Sequence, residues 1–158
     1  MDRLAADTLF MTAALEEAHK AYEKGEVPIG AVVVMNGNVI SRSHNLCESM
    51  HDPTAHAETL AIRQACAKIN NWRLTGATVY VTKEPCIMCS GVIINSRLSR
   101  LVYGCSDSKG GGVSSLYQLL SDSRLNHQVE ITSGLLEAES MELLRSFFSS
   151  LRQNSLNQ

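Results

Sequence analysis

Four side chains in this sequence have types and spacings that could do chemistry together. His56 precedes Glu58 by two positions in "HDPTAHAE", and Cys86 and Cys89 form a Cys-x-x-Cys pair in "KEPCIMCSG". Imidazole nitrogen and thiolate sulfur are zinc donors; four protein ligands close a structural zinc site, whereas three leave a position for water. One histidine and one Cys-x-x-Cys pair supply three. Zinc lowers the pKa of a bound water from about 15.7 toward about 7, and a carboxylate within hydrogen-bond reach can take and return protons. Such a set serves hydrolytic attack on an electrophilic carbon, with Glu58 beside the water. Neither half is specific alone, because a lone Cys-x-x-Cys can be a redox pair and a lone His-x-Glu is nearly uninformative. The combination carries the signal.

These residues must be positioned by two helix starts. Asp52 or Thr54 is a candidate cap for a helix over 52–66, with Pro53 tolerated in its first turn and His56 near its N-terminus. Pro85 suits the first position of a helix over 86–96, which puts Cys86 and Cys89 on one face. The partial positive charge of a helix N-terminus and an adjacent metal both favour thiolate. Residues i and i+2 of a helix diverge by about 200°, so His56 and Glu58 do not grip one ion side by side. At the open end of the helix they can still flank one cavity.

Around those helices, a first helix is expected from about Asp7 as N-cap through Phe10, Ala14, Ala18 and Ala21 to a stop at Gly25. "GAVVVM" and "NVISRS" flank Asn36-Gly37, a type I′ hairpin signal. Strands over 77–82, 100–105 and 129–131 then alternate with helices over 86–96, 114–121 and 136–151. This pattern predicts an α/β fold, three-layer α/β/α with a central mixed five-stranded sheet. One domain over residues 1–158 is expected, with roughly the last eight residues a polar, fraying tail.

The bulk properties agree with that outline. A chain of 158 residues buries roughly 68–70% of its unfolded surface. Its 44% hydrophobic and 19% charged content are those of a globular domain. Five cysteines at irregular spacing argue against a disulfide framework. Cys47, Cys66 and Cys105 are expected as small core residues. His19 falls in the first helix, while His44, His51 and His127 are expected in plain hydrogen-bonding roles. Arg97, Arg100 and Lys109 are scattered cations of the kind usually solvated. The net charge of −2 gives no electrostatic footprint for nucleic acid, and does not exclude it. The N-terminus lacks the pattern of a signal peptide, and runs such as "GAVVVM" are too short for a bilayer, so a cytoplasmic protein without a membrane segment is expected.

At His-x-Glu and Pro-Cys-x-x-Cys the sequence resembles the zinc-dependent nucleobase deaminases. Beyond them, "EVPIGAVVV", "NWRL", "ATVYVTKEPCIMCSG", "NSRLSRLVYG", "NHQVEI" and "LLRSFF" look like the bacterial tRNA adenosine deaminase branch of that superfamily. The resemblance implies a cytidine deaminase-like fold, a homodimer with one zinc per subunit and a tRNA anticodon loop as substrate. It implies that His56, Cys86 and Cys89 bind Zn2+ and that Glu58 shuttles protons while hydroxide attacks C6 of the wobble adenosine of an arginine tRNA and ammonia leaves. Asn45 falls where the family hydrogen-bonds the flipped-out base. Asp107 and Lys109, in "SDSKGGG", match a family loop near the substrate; a plain flexible connector is the alternative there. Lys83 stands where relatives have an apolar residue, and the C-terminal end has only Arg152 where they often carry a basic cluster. Two rival readings predict other outcomes: a free-base guanine or cytosine deaminase, or a non-catalytic zinc module with a fourth ligand and a dispensable Glu58.

Overall fold

A computed structural model describes residues 1–158. The chain starts with α1 (Arg3–Glu23), then β1 (Gly30–Met35), β2 (Asn38–His44) and a single-turn helix α2 (Cys47–Met50). It continues with α3 (Ala57–Ile69), β3 (Thr78–Lys83), α4 (Ile87–Asn95), β4 (Arg100–Cys105), a 3-10 turn (Leu119–Ser121), β5 (Glu130–Thr132) and α5 (Glu137–Leu156). The sheet order is β2-β1-β3-β4-β5; β1 runs antiparallel to both neighbours, and β3, β4 and β5 are parallel. This is the mixed five-stranded sheet expected. Asn36 and Gly37 both have positive φ, 51° and 75°, as a type I′ turn requires.

Successive side chains of a strand face opposite ways, and this alternation divides the core into two layers. Ala31, Val33, Val79, Val81, Leu101 and Tyr103 face α3 and α4, where Ala61, Ile62 and Ile93 complete one apolar cluster. Val32, Val34, Tyr80 and Val102 face the other way and pack on Met11 and Ala14 of α1. Helices cover both faces, so the architecture is α/β/α. No helix is long and apolar enough to cross a membrane.

Asp7 is not the cap of α1. Asp2 is, its Oδ1 accepting the Ala5 N–H at 2.7 Å. Asp7 lies inside the helix, buried, where both its oxygens accept from the Arg100 guanidinium at 2.7 Å and Oδ1 also accepts the Tyr80 hydroxyl at 2.7 Å. Burial alone would raise the Asp7 carboxyl, but Arg100 and Tyr80 outweigh it and hold the pKa below the ordinary value. Arg100 is therefore a buried tie between α1 and the sheet, not a solvated cation. Arg97, at φ 59°, donates to the Ile94 carbonyl at the end of α4 at 2.8 Å.

The helix expected over 114–121 shrinks to the 3-10 turn; ahead of it the chain closes on Glu84, whose carboxylate accepts the amides of Ser114 and Ser115. At the other end, α5 runs to Leu156 through the polar tail, with no Gly or Pro to stop it.

Candidate active site

His56 is the N-cap residue of α3, with extended backbone at φ −76° and ψ 150°. Neither Asp52 nor Thr54 caps the helix; Asp52 Oδ1 instead accepts from the Thr54 amide and hydroxyl at 2.8 and 2.7 Å, shaping the turn that delivers His56. Pro85 directly precedes the cap of α4, whereas Pro53 lies in the turn three residues before the cap of α3. Cys86 is likewise the N-cap of α4, its Sγ accepting the Cys89 N–H at 3.5 Å. A cap residue sits outside the helical wheel, so the divergence expected of i and i+2 does not apply to His56 and Glu58.

His56 Nδ1 lies 3.5 Å from Cys86 Sγ and 3.5 Å from Cys89 Sγ. All three donor atoms fall within 4.8 Å of one another, and no fourth His, Cys, Asp or Glu joins them. A tetrahedral zinc with bonds of about 2.05 Å to nitrogen and about 2.3 Å to sulfur would hold the nitrogen about 3.6 Å from each sulfur. Both nitrogen–sulfur distances match such an ion. Thr59 Oγ1, 3.3 Å from Cys89 Sγ, supports one thiol from behind. Hydrogen bonding from Cys89 and then from His56 outweighs burial and holds the Cys86 thiol well below its ordinary value. Cys89, which donates to Cys86 and is buried, stays high, and the Cys86 contact raises the His56 ring.

Next to the cluster is a cavity of about 210 Å³ lined by Val27, Ile29, Asn45, Cys47, His56, Ala57 and Glu58. It is smaller than the roughly 300–1,000 Å³ of sites for drug-sized ligands, a size suited to one heterocyclic base. Glu58 is 4% exposed, and burial pushes its carboxyl above the ordinary range, more than its own backbone N–H and His56 pull it down. Asn45 is also buried, and its Oδ1 has no hydrogen-bond partner. An orphaned amide oxygen on a cavity wall is an acceptor waiting for a ligand donor. Cys47, expected in the core, is half-buried and forms part of that wall, because α2 turns outward there.

Two glutamates that sequence reasoning passed over hold this arrangement in place. Glu26, fully buried, accepts from the amides of Glu48 and Ser49 at 2.9 and 2.7 Å and from the Ser49 hydroxyl, fixing the segment that carries Asn45 and Cys47. Glu84 accepts from the amides of Asp107, Val113, Ser114 and Ser115 at 2.9–3.1 Å and from the Ser115 hydroxyl. Burial would raise it, but the Asp107 amide, the Ser115 hydroxyl and the Ser114 and Ser115 amides hold it at about 2. A Cβ at Gly111 would come within 2.2 Å of the Glu84 carboxylate, and one at Gly112 within 3.1 Å of the Cys86 backbone. The glycines let the loop close on the start of α4.

Of the other candidates, Asp107 and Lys109 do not reach the cavity. Asp107 Oδ2 pairs with Lys83 Nζ at 3.3 Å, and Oδ1 accepts from the amides of Lys109 and Gly110 at 3.1 Å. His44 bonds to Glu17 at 3.0 Å, and His127 donates to the Leu98 carbonyl at 2.7 Å, the plain roles expected of them.

A family model described as MafB19-like deaminase matches residues 6–152. The chain is 51% identical to the tRNA-specific adenosine deaminase of Bacillus subtilis, over 95% of this chain and 93% of that one. A structure from a study of A-to-I editing by tRNA:A34 deaminases at the wobble position superposes with a TM-score of 0.84 at 49% identity, covering 87% of this chain and 99% of that one. A guanine deaminase from Bacillus subtilis is more distant, with a TM-score of 0.61 and 33% identity over 67% of this chain and 66% of that one. With a hydrolytic site built on a family-wide fold and half its residues shared over nearly full length, the chain belongs to the tRNA-specific adenosine deaminase family.

Proposed function

We propose that this enzyme deaminates adenosine to inosine at wobble position 34 of arginine tRNA, with release of ammonia. The observation that carries the reading is a buried, protonatable Glu58 sharing one base-sized cavity with a three-donor His/Cys/Cys cluster. His56, Cys86 and Cys89 would hold one Zn2+ per subunit. When bound there, zinc supplies an acidified water as the nucleophile for C6 of adenine.

The residues of the chain do the rest. Glu58 takes one proton of the attacking water at a carboxylate oxygen and delivers it to the adenine ring nitrogen, then carries the second from the same oxygen to the amine, which leaves C6 as ammonia. Burial raises its carboxyl, the direction that favours holding a proton between the two transfers. Asn45 holds the base through the amide oxygen that has no partner within the protein. Val27 and Ile29 exclude bulk water from the reacting face. An anticodon loop suits a cavity for one base, because an unpaired base can be splayed out at small unstacking cost. The likeness to relatives named for tRNA supports the macromolecular substrate.

The same reading makes residues 1–158 one catalytic domain of a cytoplasmic homodimer. Exposed Ile87, Leu116 and Tyr117 offer apolar surface for a second copy, which sedimentation equilibrium tests. Asp107 and Lys109 would contact substrate from the rim.

The deciding experiment presents zinc-loaded protein with an adenosine-34 arginine anticodon stem-loop, free guanine, free cytosine and free adenosine, and measures ammonia. The stem-loop is expected to react fastest. Preferential turnover of free guanine would instead favour the free-base reading.

A further inference from the structure

We propose that Lys83 is a phosphate contact for the RNA strand that presents the target base, an inference that rests on the RNA substrate proposed above. Lys83 is the last residue of β3, next to Glu84 and three residues before Cys86, so it stands at the rim of the metal centre. Its only recorded partner is Asp107, an ion pair at 3.3 Å, and the three N–H donors of the ammonium have no hydrogen-bonded acceptor. The side chain is 24% exposed, enough for a ligand to reach.

Asp107 does not depend on that pair, because the amides of Lys109 and Gly110 hold its other oxygen. Lys83 is therefore free to exchange the Asp107 carboxylate for a stronger anion. Lys83 is flanked by acids, Glu84 next in the chain and Asp107 as its ion-pair partner, and the chain carries a net charge of −2, so a polyanion at this rim meets negative charge that a cation must offset. Lys109 is the other cation beside this rim, held there by its backbone amide on Asp107 Oδ1, while Arg100 lies at the opposite end of the parallel strands, opposite Thr78 rather than Lys83. Lysine, a compact charge with rotatable donors, binds phosphate as a point charge without needing a planar partner.

Each phosphate contact on a single strand steepens the salt dependence of binding by about 0.7 in log K against log salt. The test is fluorescence anisotropy of the labelled adenosine-34 stem-loop with zinc-loaded wild type, Lys83→Met, Lys83→Gln and Lys83→Arg, from about 50 to 200 mM salt. Both neutral variants should bind several-fold more weakly at low salt with a slope shallower by about 0.7, while Lys83→Arg keeps the wild-type slope. Two neutral variants keep the test valid if one folds poorly, and zinc content is read for each. An unchanged slope in the neutral variants overturns the proposal, even if affinity falls, because a merely structural role would not alter the slope. Failure of the wild type to bind the stem-loop at any salt removes the RNA reading itself, and this proposal with it.

Discussion

Glu58 and Glu84 are both almost fully buried carboxylates within a few residues of a metal-type ligand, yet their surroundings push them opposite ways. Glu84 is encircled by donors, four backbone amides and a hydroxyl, and stays ionised down to about pH 2. Glu58 faces a cavity with apolar walls and is raised by burial. The difference teaches that burial does not decide a carboxylate's role; the supply of fixed donors does. A carboxylate saturated with donors holds structure. One left short of them can exchange a proton.

Removing the metal donors should have the largest effect. Cys86→Ala or Cys89→Ala is expected to abolish bound zinc, measured by atomic absorption, and reduce deamination to background; a full equivalent of zinc in either variant would contradict the ligand assignment. Glu58→Gln keeps the shape and removes the proton carrier. It should lose about 10²–10⁴-fold in kcat while keeping zinc, the range for general acid–base catalysis.

The same change at the other carboxylate separates the two roles. Glu84→Gln should lower stability in denaturant titration by on the order of 3 kcal/mol, from a pKa near 2 against an ordinary 4.5. The sign follows from the depressed pKa: this stabilisation is complete above pH 4.5 and disappears as pH falls toward 2. Wild type and variant should therefore converge in acid, and curves that stay parallel across that window would argue against the role given to Glu84. Asn45→Ala is the smallest expected effect, a loss of about tenfold in kcat/KM with zinc intact, the worth of roughly one hydrogen bond to a ligand. Unchanged kinetics would remove it from base binding.

The grouping was legible in the sequence because it resides in residue type and spacing: His56, Cys86 and Cys89 bring their donor atoms together, and Glu58 shares a cavity wall with His56. The strands and the hairpin were legible through alternation and the Asn36-Gly37 turn. What the sequence hid was the exchange of partners over long range. Asp7 looks like a cap until Arg100, 93 positions later, claims both its oxygens. The segment 114–121 reads as a helix, yet its first two amides meet Glu84, about 30 residues earlier, and only Leu119–Ser121 forms a 3-10 turn. Glu26 and Glu84 carry no local signal, since the backbone donors they satisfy are defined only by the folded loops.

The most direct test of the account measures inosine formation in the adenosine-34 stem-loop by mass spectrometry, with zinc-loaded wild type and Glu58→Gln compared at equal zinc and RNA occupancy. The account predicts that wild type converts the adenosine with one ammonia per inosine, and that Glu58→Gln binds zinc and RNA but converts almost none. Conversion by Glu58→Gln at the wild-type rate would contradict it.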